Sequence, residues 1–250
     1  RVLELLRQQA ARSPRPLARL HSLCAAEGLG GLNPSMIATA LADSHPGIRR
    51  HAIRLAESLP KLSDMLIGKL TGLANDADPQ VRLQLALSSG SLGTPQQQAL
   101  LLTRLLPTMI GQRFLEPAVL SSLTKSNLTH VISGVLQQAD GSKPGTDALL
   151  SRLFALDNAY GNKGSLVTWI SLCADPRLRK SPQQLFSMSA TLLDTLERRG
   201  LALSKIYTDG NAETRRAVDA FRAVLVLARQ TASAANKSVA DRAIAARLLG

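Results

Sequence analysis

The sequence predicts an all-α chain of stacked antiparallel helix pairs, an α-solenoid, and three observations carry that prediction. The first is a repeat. "DSHPGIRRHAIRLAESLP" at 43–60 returns thirty-three residues later as "DADPQVRLQLALSSGSLG" at 76–93. Each copy sets an Asp three residues before a Pro, a β-branched residue two after it and an Arg three after it: Asp43, Pro46, Ile48, Arg49, then Asp76, Pro79, Val81, Arg82. The second is punctuation, with Pro falling where periodic apolar stretches begin. The third is the period itself, three and four residues throughout, with no strand-like alternation.

Taken in order, the expected helices cover roughly 1–11, 16–28, 34–42, 46–59, 62–75, 79–92, 95–106, 115–137 (two helices), 146–156, 164–173, 182–199 and 212–230, with a last one opening near 238, about six pairs in all. Asn33-Pro34, His45-Pro46, Asp78-Pro79, Thr94-Pro95 and Ser181-Pro182 mark starts. Pro suits the first helical position because its missing N–H has no partner there, and a polar residue before it can cap the free amides. Thr94…Gln97 and Ser181…Gln184 have capping-box spacing. Arg198, Arg199 and Gly200 place cations in a last turn and a permissive residue after it.

Apolar stripes join these signals. Ile48, Ala52, Leu55, Ala56 and Leu59 form one; Leu185, Met188, Leu192 and Leu196 another; Ala217, Phe221, Val224 and Ala228 a third. Val81, Leu83, Leu85, Ala86 and Leu87 leave little polar face, as expected of a helix flanked on two sides. The loops at 138–146 and 157–164 are too short to part independent domains. Residues 1–250 therefore read as one segment, with the clearest repeats at 33–59 and 62–93. Arg1–Ala11 and Asp241–Gly250 read as outer helices lacking a neighbour, so Ile244, Leu248 and Leu249 are expected to lie open. The segment reads as part of a longer multidomain protein.

Composition narrows the function. Thirty Lys and Arg against eighteen Asp and Glu leave a net charge of +12, which suits nucleic acid, an anionic surface or an acidic protein. The basic residues are scattered, and aromatics are 3%, too few for stacking platforms under single-stranded bases. No apolar run approaches the roughly 20 residues of a membrane helix.

Catalytic signatures are scarce. Cys24 and Cys173 are far apart, without C-x-x-C, and read as small buried hydrophobes. Asp43, His45 and His51 lie close in sequence but lack the three or four converging ligands a metal wants. "GLGG" at 28–31 follows a helix, where a phosphate loop would follow a strand. No G-x-S-x-G elbow occurs. Trp169 sits among apolar neighbours at core spacing. No cofactor is expected within the segment.

The repeated charges have a structural reading. Asp43 and Asp76 precede helix starts, where a carboxylate accepts free amides and meets the positive helix end. Arg49 and Arg82, one turn inside, can reach a carboxylate of an adjacent turn through two parallel bonds. Asp43, Arg49, Asp76 and Arg82 are thus expected to form a ladder between turns.

The pattern resembles the HEAT repeat: helix, turn with Asp then Pro, second helix opening hydrophobic–Arg. "LADSHPGIRRHAIRLAESL" and "LANDADPQVRLQLALSSGSL" are the cleanest copies. "CADPRLRKSP" at 173–182 is weaker, and "DGNAETRRAVDAF" at 209–221 keeps Asp209, Thr214 and Arg215 without the Pro. The resemblance implies a right-handed, armadillo-like superhelix. Residues 17–93, with the ending "VADRAIAARLLG", also look like the HEAT segment of secreted bacterial proteins of the membrane-bound dehydrogenase type. Those carry a β-propeller before the helices and a c-type cytochrome domain after them. This second resemblance implies a connecting scaffold in a periplasmic or secreted redox protein, with haem c in a neighbouring domain.

Two functions are therefore expected in order of preference. The first is a non-catalytic scaffold binding proteins or neighbouring domains. The alternative is a nucleic-acid-binding solenoid, like HEAT-like DNA glycosylases, with Arg49, Arg50, Arg54, Lys69 and Arg82 on phosphates.

Overall fold

A computed structural model describes residues 1–109, 112–138, 146–160, 165–176 and 182–250. The chain is all-α: fifteen α-helices and one 3-10 turn, with no strand among the described residues. It divides into two compact units, Arg1–Val131 and Ile132–Gly250.

The first unit contains α1 (Val2–Arg12), α2 (Pro16–Gly28), α3 (Pro34–Ala40), α4 (Pro46–Ala56), α5 (Asp64–Gly72) with a 3-10 turn (Leu73–Asn75), α6 (Pro79–Ser88), α7 (Pro95–Met109), α8 (Leu115–Ser121) and the start of α9 (Leu128–Gln138). Contacts run in two rows: α1 on α3, α3 on α5 and α5 on α7, and beside them α2 on α4, α4 on α6 and α6 on α8. Leu23, Ile37, Ile48, Ile53, Leu55, Leu66, Leu70 and Leu85 are fully buried between the rows. Each stabilises the fold by roughly 1.5–3 kcal/mol relative to the same side chain in water.

Local chemistry sets the helix starts. All five expected prolines, Pro34, Pro46, Pro79, Pro95 and Pro182, open helices. Asn33 Oδ1 accepts from the Met36 amide at 3.0 Å, and Asp78 Oδ1 accepts from Gln80 at 2.7 Å and Val81 at 3.3 Å. At α4 the cap is a histidine ring, His45 Nδ1 accepting from the Gly47 amide at 3.1 Å. Thr94 and Gln97 form the reciprocal box, Thr94 N donating to Gln97 Oε1 at 3.0 Å and Gln97 N to Thr94 Oγ1 at 3.3 Å. "GLGG" closes α2: Gly30 takes φ 64°, and Gly31 N and Gly30 N donate back to Ala26 O and Glu27 O. That is a helix stop in which a left-handed residue lets two amides satisfy orphan carbonyls.

Some boundaries differ from the sequence reading. α7 runs past Pro107 to Met109, because a proline in the closing turns removes only one amide bond. The expected 115–137 stretch is two helices, separated by a turn in which Asn127 and Thr124 bond each other's backbone amides.

The second unit continues with α10 (Thr146–Ala159), α11 (Ser165–Cys173), α12 (Pro182–Arg198), α13 (Leu203–Asp209), α14 (Ala212–Ser233) and α15 (Val239–Leu249). α12 packs on α10, α11 and α15, and α14 on α11, α13 and α15. Leu185, Phe186, Leu192, Val218, Phe221 and Ala228 are fully buried. Gly200 (φ 63°) ends α12 with Leu201 N on Leu196 O. α13 has no buried residue, so it offers no apolar stripe to read. α10 extends through 157–159, where a loop is expected, because Asp157 is drawn inward: Trp169 Nε1 donates to its Oδ2 at 2.5 Å. Leu178 and Arg179 of the third copy, and the Ser181 cap, lie outside the described residues.

The C-terminal helix differs in a useful way. Leu248, expected to lie open, is 3% exposed and shares a buried face with Ala245. Leu249, one residue on, is turned about 100° away and is 40% exposed.

Candidate functional site

Successive turns of the first unit are tied by one repeated constellation. Arg49 Nε and Nη2 each donate at 2.7 Å to the two carboxylate oxygens of Asp76, one helix pair further on. Arg19, on α2, grips Asp43 the same way, both bonds at 2.7 Å. The remaining amino group turns back onto the arginine's own turn: Arg49 Nη1 donates to Asp43 O at 2.8 Å and Ser44 O at 3.1 Å, and Arg19 Nη1 to Ser13 O at 2.8 Å. Each guanidinium thus closes one turn and clamps the next.

The aspartates are shaped for this. Asp43 Oδ1 also accepts from the His45 amide at 2.8 Å, and Asp76 Oδ1 from the Asp78 amide at 2.9 Å. Both pairs are largely sequestered, Asp43 and Asp76 keeping 10% and 5% of their side-chain exposure. Burial by itself raises both carboxyl pKa values. The arginine fork, the amide and the nearby positive charge outweigh burial, and both end below the usual aspartate value. The partners respond: donation to Asp43 raises Arg19, and donation to Asp76 raises Arg49, in each case against burial.

Arg49 therefore reaches the carboxylate of an adjacent turn, as expected. Arg82 does not. Its Nη1 bonds to the carbonyls of its own turn, Asp76 O and Ala77 O, and among the described residues it has no carboxylate partner. Sequence reasoning missed Arg19. The signal was present, since Arg19 stands three residues after Pro16 just as Arg49 follows Pro46. The first turn writes Ser13 where the others write Asp, which hid the register; Ser13 Oγ accepts from the Arg15 amide at 3.3 Å. Asp209 and Arg215 form no comparable pair. α14 is instead capped by Asn211, which accepts from Thr214 at 2.9 Å.

The five candidate phosphate contacts do not converge. Arg49 and Arg82 belong to the turns, and Lys69 lies exposed on α5, in the other row of helices. Arg50 and Arg54 line a groove with His51 on α4, facing Gln80, Leu83, Gln84 and Leu87 of α6. Arg54 is partly neutralised by Glu27 at 3.2 Å. Burial, then Arg50 and Arg54, push the His51 pKa down, which disfavours a further positive charge in this groove.

Remaining candidates take structural places. Asp43 is held by Arg19, and His45 caps α4, which leaves neither turned toward a shared ion. Among the described residues no three His, Cys, Asp or Glu side chains form a metal-binding group. Cys173 is buried, which pushes its thiol up to about 12; Cys24 is half-buried. Trp169 stacks on Phe154 with ring centroids 3.4 Å apart. A second, more apolar cleft lies among Leu166, Val167, Leu201 and Ile206, with Lys205 and Asp209 at its edge. No helix among the described residues is long and apolar enough to cross a membrane. No protein-family model matches the chain, and comparison with curated proteins finds no significant match.

Proposed function

We propose that the chain is a non-catalytic α-solenoid scaffold of the HEAT type, about six helix pairs winding as a right-handed superhelix, that binds proteins or neighbouring domains. The observation that supports it most is the Arg19–Asp43 and Arg49–Asp76 ladder. Its charged side chains, the most chemically capable in the unit, are committed to joining successive turns, and a bidentate guanidinium–carboxylate pair is a strong geometric lock. The rows of contacts in the first unit suit such a stack, in which each pair buries its face only against its neighbours. A place within a cell-envelope redox protein, with propeller and haem domains as partners, belongs to the same proposal.

The test has two arms. Purified chain should turn over no sugar, alcohol or nucleotide; turnover abolished by a single substitution would overturn the reading. Duplex DNA should bind weakly, without a steep loss of affinity as salt rises. A steep linear fall of log K with log salt, the mark of counterion release from phosphates, would move the function to nucleic acid.

A further inference from the structure

Arg19, Arg49 and Arg82 each stand three residues after a helix-starting Pro, and they part at the Nε/Nη2 edge. In Arg19 and Arg49, Nη1 is anchored on the carbonyl at the start of the arginine's own turn (Ser13 and Asp43), while Nε and Nη2 hold the aspartate of the next. Arg82 keeps the anchor, Nη1 on Asp76 O and Ala77 O. Its Nε and Nη2 bond to nothing among the described residues. Neither nitrogen is among the buried side-chain atoms left without a partner, and Arg82 is half-buried. The stretch 110–115, "IGQRFL", carries no acid, and Glu116 is engaged elsewhere. Gln112, three residues ahead of the first residue of α8, stands in the register that Asp43 and Asp76 hold before α4 and α6.

We propose that the Nε/Nη2 edge of Arg82 is a carboxylate-binding site, and that its occupant is an aspartate-bearing turn of a protein partner. The guanidinium is already oriented by two carbonyls, so little rotamer freedom remains to be lost on binding. Its planar fork matches a carboxylate through two parallel bonds, which an ammonium cannot do. The same molecule shows the ligand geometry twice, at Asp43 and Asp76. The site is the ladder's next rung, left open for a turn from another chain or domain. The choice of occupant rests on the scaffold reading; the open fork rests on geometry alone.

The Nε–H resonance of Arg82 in ¹H–¹⁵N spectra of the full chain tests this directly. The probes are sodium acetate and the capped hexapeptide Asn-Asp-Ala-Asp-Pro-Gln, residues 75–80, which is the turn that occupies Arg49. The control is the same peptide with Asp76→Asn, which retains the second acid. A saturable downfield shift at Arg82 with the peptide, at least tenfold weaker with the control, is the expected result, and in Arg82→Lys the peptide should no longer shift the backbone amides of residues 76–82. Acetate acting at equal concentration would assign the site to small carboxylates; the peptide acting at lower concentration assigns it to a protein turn. A silent Arg82 with both probes, or equal responses to peptide and control, would overturn the proposal. Catalytic turnover would end the scaffold reading and leave the Arg82 response standing, so the two failures are distinguishable.

Discussion

Arg1–Val131 and Ile132–Gly250 are built from the same residue types and hold their helices by different means. The first unit uses short helices, several of only seven to eleven residues, and links their turns with guanidinium–carboxylate pairs. The second uses α12 and α14, of 17 and 22 residues, whose apolar stripes run along the whole length. A seven-residue helix presents two turns of side chains, too little surface to fix the placement of its neighbour. Directional bonds between turns supply the missing specification, because a bidentate pair tolerates one orientation while apolar contact tolerates several. In the second unit the long stripes carry the packing, and the Arg222–Asp219 pair stays exposed.

The largest expected effect breaks the second unit at its centre. Phe221 is fully buried on α14. Phe221→Ala should destabilise this unit by about 3–5 kcal/mol, the lost transfer free energy plus the cavity left behind. Trp169, the single tryptophan, reports it: its emission should change at a lower denaturant concentration. An unmoved midpoint would mean that the stripe does not hold this unit.

The first unit should break at a charge instead. Asp76→Asn leaves the Arg49 guanidinium, 16% exposed, without its counter-charge, and loss of one partner of a sequestered pair costs about 3 kcal/mol. Faster amide exchange should spread over α4 and α6. Arg82→Ala removes only bonds to two carbonyls of its own turn and should cost about 1 kcal/mol. If the two substitutions cost the same, the link between turns contributes nothing beyond local turn closure.

Acid sharpens the comparison without mutation. Asp43 and Asp76 have folded pKa values below that of the unfolded chain, so their stabilisation is complete above the ordinary aspartate value of about 4. It is lost as pH falls from there through the depressed folded values. Exchange in α2, α4 and α6 should accelerate over this window. The double variant Asp43→Asn, Asp76→Asn should lack the acceleration, being already without the rungs; if it retains it, other carboxylates carry the acid response.

How far the sequence could be read follows the same division. Where a turn carries Asp, Pro and Arg together, the residues themselves state which groups need partners, and that Arg49 would reach a carboxylate of an adjacent turn was legible, though not that the carboxylate is Asp76. Arg19 was not, because Ser13 replaces the first Asp and the eye follows the acid. Which aspartate an arginine reaches also depends on the offset between the helices in contact, and no spacing within one repeat contains that. In the second unit α13 left no trace, having no buried side chain, and Asp157 looked like loop chemistry because its partner, the Trp169 indole, lies twelve residues on. Leu248 and Leu249 show the limit most simply. Both are apolar and adjacent, and only the position of α12 and α14 decides which is buried.

The smallest effect asks whether the ladder can be extended. Gln112 stands three residues before α8, the register Asp43 and Asp76 hold before α4 and α6, and Arg82 offers an oriented fork with no carboxylate among the described residues. Gln112→Asp should supply the missing rung. Gln112 is exposed, so the new pair would be partly screened by solvent, and the gain should be about 0.5–1 kcal/mol, at the upper end for exposed pairs because one partner is already held in place. The check is a double-mutant cycle with Arg82→Ala: the gain from Gln112→Asp should vanish when Arg82 is absent. The Arg82 Nε–H resonance should move in the same variant, without added carboxylate, toward those of Arg19 and Arg49. A gain that survives Arg82→Ala would trace to the start of α8, where a new acid favours the helix dipole, and would place the end of the ladder at Asp76.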